Sequence, residues 1–155
     1  MFGIGQARVW RAAALALAVL ALAWAQAVAA ETTVEELKAR VANASVADRA
    51  ELCLQISERQ LEGADRDYVA GDSDKGRAAL VDVEAFSELA RDYSIQSHKH
   101  EKQSEIAIRK MVRKLGNLKH TVALEDQKQI QETIDRLQRI RDDLLAAMFP
   151  KGVKK

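Results

Sequence analysis

Across residues 77–115 the chain carries neither glycine nor proline, and this unbroken run constrains the fold more than any other feature. Nothing in such a backbone opposes an α-helix. Leu80, Val83, Phe86, Ala90, Tyr93, Ser97, His100, Ser104, Ile108, Met111, Leu115, Leu118 and Val122 recur at steps of three and four, so they fall on one helical face. Continued to Thr121, the helix has about 49 residues and a length of roughly 70 Å. One proline, seven glycines and 5% aromatic residues argue against sandwiches and barrels, which need turn residues and aromatic or β-branched strands.

Shorter helices flank this one. Thr33-Val34-Glu35-Glu36 reads as a capping box, followed by Val34, Leu37, Val41 and Ala44 at helical spacing. Ser45, with Asp48 three residues on, reads as the next N-cap. Ala47, Ala50, Leu54, Ser57, Leu61, Ala64 and Tyr68 then form a seam that Leu52 and Ile56 widen. Gly71 suits a left-handed C-cap, and Asp72, Ser73 and Asp74 suit a new helix start. A last helix follows a loop at residues 122–125, with Asp126 read as its N-cap, Ile130, Ile134, Leu137, Arg141, Leu144 and Met148 as its stripe, Ile140 and Leu145 widening it, and Pro150 as its stop. The expected fold is all-α: helical hairpins packed on one long central helix, in a single domain over residues 31–150. The alternative breaks the long helix near residues 94–100 and folds the chain into a compact four-helix bundle.

Residues 1–30 differ from the rest. Arg8 and Arg11 precede an apolar run at 12–25, and Ala27-Val28-Ala29-Ala30 supplies small residues. A basic start, a short apolar stretch and an Ala-x-Ala-like site define a secretory signal peptide. The expected location is therefore periplasmic or secreted; the alternative is an uncleaved N-terminal membrane anchor. Removing the leader leaves 125 residues with a net charge of −1, and residues 151–155 read as a disordered basic tail.

From Glu58 to Ala90 the chain resembles one tetratricopeptide-type helical hairpin, through Ala64, the Ala70-Gly71-Asp72 turn, Gly76, Leu80 and Val83. Tyr68 lies one position late for that repeat's aromatic, and Glu88 stands where its helix-stopping proline would be. No second copy follows, so no peptide groove and no binding residues are implied. More broadly, through Ile108-Arg109-Lys110-Met111 and Arg141-Asp142-Asp143-Leu144-Leu145, the chain is similar to uncharacterised exported α-helical proteins of bacteria. That resemblance implies no activity.

Candidate chemistry is sparse. His98, His100 and Glu101 form the one histidine cluster. On a helix His98 and Glu101 could share a metal at i and i+3, but a specific site needs a further ligand, such as Glu105. The bland alternative is a solvent-facing His98 and a His100 filling the seam. Cys53 reads as a small buried hydrophobe or, in an oxidising compartment, as an inter-chain link. A phosphate-binding glycine loop, a haem-attachment motif and a di-iron Glu-x-x-His pair are all missing from the sequence, so neither an enzyme nor a cofactor is expected.

Charge is divided along the chain. Residues 31–97 hold 15 acidic and 8 basic side chains, and residues 98–155 hold 8 acidic and 14 basic. Arg109, Lys110, Arg113, Lys114 and Lys119 fall in an acid-free stretch and read as an anion or partner patch, or as a merely solvated face. The overall net charge of +1 and the lack of aromatics among these cations argue against nucleic acid. The expectation is a non-enzymatic protein acting through protein–protein contacts in the cell envelope, with an unidentified protein partner or a second copy of itself. The alternatives are a small-ligand or metal-binding bundle and a binder of anionic lipid head groups at a membrane surface.

Overall fold

The computed structural model describes residues 32–150. The leader and the basic tail inferred above lie outside these residues. Five α-helices make up the described chain: α1 (Val34–Asn43), α2 (Val46–Val69), α3 (Ser73–Ser97), α4 (Glu101–Lys119) and α5 (Leu124–Met148). The helix starts follow local chemistry. Ser45 caps α2 by accepting from the Asp48 N–H at 3.2 Å, and Asp72 caps α3 by accepting from the Lys75 N–H at 3.3 Å.

The helix expected to run unbroken through residues 77–115 is two helices. The chain reverses at His98, Lys99 and His100, where His98 (φ 53°) and His100 (φ 65°) both take the left-handed conformation. The reversal is a Schellman turn, with the His98 N–H bonded to the Ile95 carbonyl and the Lys99 N–H to the Ser94 carbonyl, each at 3.3 Å. Ser97 Oγ donates to the Tyr93 carbonyl at 2.7 Å, and buried Ser94 and Ser104 join hydroxyls at 2.8 Å across the turn. The seam stays in phase through the three turn residues, which is why the periodicity reads as continuous.

The result is the compact bundle, with α1 added at its edge. α2 and α3 run antiparallel, as the pairs Ser57–Ser87, Gln60–Asp82 and Tyr68–Gly76 show. α4 and α5 are likewise antiparallel, with Lys119 opposite Gln131 and Glu105 opposite Arg141. α3 and α5 run parallel: Arg77 meets Asp126, Glu84 meets Thr133, Glu88 meets Arg136 and Arg91 meets Asp143. α4 therefore runs parallel to α2, and the α3–α4 turn links helices on a diagonal of the bundle.

One apolar core joins the four long helices, with Leu61, Leu80, Ile108, Leu115, Ile130, Leu137 and Leu144 all fully buried. α1 seals a smaller cluster of Leu37, Leu52 and Ile56, against which Phe86 packs. Along α3 the buried line is Leu80, Val83, Ser87, Ala90 and Ser94, while Phe86 and Tyr93 flank it. Small side chains at the centre let backbones approach. The large rings instead lie under cations, Lys38 over Phe86 at 5.4 Å and Arg49 over Tyr93 at 5.8 Å.

Two positions test this packing. A Cβ on Gly76 would lie 2.7 Å from the Tyr68 ring, so α3 meets α2 there without room for a methyl group. Gly76→Ala should therefore lower stability by about 1–3 kcal/mol, although the same change in an open helix raises it. In a double-mutant cycle the loss should shrink when Tyr68→Ala is also present. His98→Gly should raise stability by about 1 kcal/mol in a denaturant melt, since glycine occupies the left-handed region without a Cβ penalty.

Candidate functional site: the basic face of helix α4

A set of charges ties helix to helix, chiefly between α3 and α5. At the start of α3, Arg77 donates through Nε (2.8 Å) and Nη2 (2.6 Å) to Oδ1 of Asp126, whose Oδ2 accepts from the Ser73 hydroxyl at 2.8 Å. Asp126 is 1% exposed. Its carboxylate is thus a bridge between α5 and α3, and the expected N-cap role is not filled by it; α5 starts after Ala123 with no side-chain cap. Further along the same seam, Thr133 donates to Glu84 at 2.6 Å, Arg136 binds Glu88 at 2.7 Å, and Arg91 binds Asp143 at 2.9 Å. Lys38 of α1 reaches Asp82 at 3.3 Å, and Gln60 of α2 reaches it at 2.6 Å.

Against this background the cations of α4 stand apart. Arg109, Lys110 and Arg113 are exposed and Lys114 is half-buried. At 100° per residue these four span about 140° of the helix circumference. Lys110, Arg113 and Lys114 have no carboxylate of a described residue within ion-pairing distance. Arg109 has a long contact to Glu105, 3.8 Å, because Glu105 is turned inward to Arg141 at 2.7 Å. On the α2 side, Lys110 and Lys114 share a groove with Glu58 and Glu62, floored by Leu61 and Met111. Lys119 is not part of this face, since its ammonium donates to Gln131 of α5 at 2.7 Å.

The histidine cluster takes a different form from a helical metal site. His98 and His100 lie in the turn, His98 with its side chain 87% exposed and its Nδ1 3.8 Å from Glu101 Oε1. Glu105, the nearest further ligand in sequence, is committed to Arg141. Among the described residues no three His, Cys, Asp or Glu side chains converge as metal ligands.

Cys53 is fully buried in the core, and burial pushes its thiol up to about 11, only partly offset by Arg49. The Tyr68 phenol is pushed up to about 12, first by burial and then by the Asp126 carboxylate; its hydroxyl has no hydrogen-bond partner among the described residues. Neither group is poised as a nucleophile at neutral pH. α3 also presents an outward strip of exposed Ala78, Val81, Ala85 and Leu89. That strip has its own helical spacing, hidden beneath the stronger buried seam. No helix among the described residues is long and apolar enough to cross a membrane.

No protein-family model, curated protein or solved structure matches the chain.

The two raised pKa values predict an alkaline limb of instability. Cys53 loses its proton near 9.0 when unfolded and near 11 when folded, so its contribution is complete below pH 9 and lost as pH rises to 11. Tyr68 adds the same sign of effect between 10.0 and about 12. Melting temperature should fall steeply above pH 9, and Cys53→Ala should flatten the first part of that fall.

Proposed function

We propose that this is an exported, non-enzymatic docking protein of the cell envelope whose α4 face binds an acidic surface on a protein partner. One observation carries this reading: the bundle pairs its charges along the α3–α5 seam, yet gathers exposed Arg109, Lys110 and Arg113 and half-buried Lys114 on one face of α4. A cluster of like charges on one helix repels itself, and an opposing carboxylate surface relieves that repulsion on binding. Arginine supplies planar donors for bidentate contact with carboxylates, and lysine supplies reach. The leader read from residues 1–30 supports placing this contact outside the cytoplasm.

Crosslinking capture of the tagged full-length protein in its own cell, read by mass spectrometry, tests the reading. The expected result is an envelope protein recovered with the wild type and lost with Arg109→Glu/Arg113→Glu, while the variant melts at an unchanged temperature. Recovery that ignores the charge reversal would remove α4 as the interface. The same spectra should show an N-terminus near Glu31; an intact leader on the exported protein would argue for an anchor.

A further inference from the structure

We propose that the turn at residues 98–100 is a swap hinge: it can open into helix, fuse α3 with α4, and exchange the α4–α5 hairpin between two copies of this chain. The argument starts at the backbone. His98 and His100 carry side chains at φ 53° and 65°, where a Cβ crowds the backbone. Both strains disappear if the residues turn helical. No helix-breaking residue opposes that change, because residues 77–115 contain no glycine and no proline. The fused helix would run from Ser73 to Lys119.

Packing permits the exchange. α4 is antiparallel to α3 in the single chain, so two fused helices would cross antiparallel about a twofold axis near the hinge. The fully buried residues nearest that crossing are small, with Tyr93 and Ile95 beside them only partly buried. Ala90, Ser94 and Ser104 are fully buried, and Ser97 is half-buried. The Ser94–Ser104 hydrogen bond now made within one chain would form twice between chains. The whole α3–α5 seam, from Arg77–Asp126 to Arg91–Asp143, would re-form with the partner's α5. A swap conserves these contacts, so the balance between forms rests on the hinge and on protein concentration. Short strained hinges favour the exchanged form.

The experiment compares two hinge variants of the full-length chain, each refolded from denaturant at high concentration. His98→Ala/His100→Ala keeps the left-handed strain and improves the helix, so it should favour the dimer. His98→Gly/His100→Gly removes the strain and weakens the helix, so it should favour the monomer. Their monomer–dimer dissociation constants should differ by at least about a hundredfold, since each dimer holds two hinges. Spin labels at Ala78→Cys and Lys110→Cys, in a Cys53→Ala background diluted with unlabelled chain, report the state of the helix. The closed turn places them about 20 Å apart and the fused helix about 48 Å apart. A dimer with the long distance is the expected result for the alanine pair. A dimer with the short distance, or a monomer at every concentration, would overturn the proposal. If the alanine pair does not fold, the wild-type chain refolded at the same concentration is read by the same distances and decides on the same terms.

Discussion

The reversal at residues 98–100 is the constraint on which the rest of the bundle depends. α3 and α4 carry one apolar seam, and a continuous helix would leave its two halves facing the same way, some 70 Å from end to end at 1.5 Å per residue. Folding at His98–His100 brings Ile108, Met111, Leu115 and Leu118 of α4 into the same core as Leu80, Val83 and Ala90 of α3. Only then can α5 lie against both helices of its own chain. The cost is two side-chain-bearing residues in the left-handed region. The return is one apolar core shared by the four long helices.

Register within the bundle is set by polar groups. Ser57 donates to the Val83 carbonyl at 2.9 Å and meets Ser87 at 3.0 Å, locking α2 to α3 by groups that cannot be left unpaired in a core. Asp126 does the same for α5 against the first turn of α3. A slip of one turn along either interface would strand a buried hydroxyl or a buried carboxylate, which costs more than the apolar contacts distinguish. Leucine and isoleucine hold the helices together, and these few serines and carboxylates choose how they are aligned.

Two Schellman turns show where the sequence was legible and where it was not. At the α2–α3 turn the Gly71 N–H bonds to the Tyr68 carbonyl and the Asp72 N–H to that of Asp67. Gly71 has φ 81°, and a glycine there is a visible stop. At the α3–α4 turn the same hydrogen bonds form around His98, a residue that gives no such signal. The helices themselves were readable, because the stripes fixed which faces are apolar. The diagonal link was not. Asp126 misled for a related reason: an acid early in a helix reads as a cap, and only the fold reveals Arg77 and Ser73 beside it. Among the expected patch residues, Arg109, Lys110, Arg113 and Lys114 share a face, whereas Lys119 sits round the helix toward α5 and its Gln131.

The charge pattern and the hinge bear on one another. The α3–α5 seam uses acids and bases in pairs, so its ion pairs re-form whether α5 comes from the same chain or from a second copy. The α4 face takes no part in that seam and stays exposed in either arrangement. A single bundle presents this face once. An exchanged pair presents it twice, on helices related by a twofold axis and held rigidly by two fused α3–α4 rods. Two weak electrostatic contacts fixed in that geometry act on a partner at a high effective concentration, so avidity rises without any new contact. Exchange at the hinge would therefore change how strongly α4 docks while leaving every residue of its face in place.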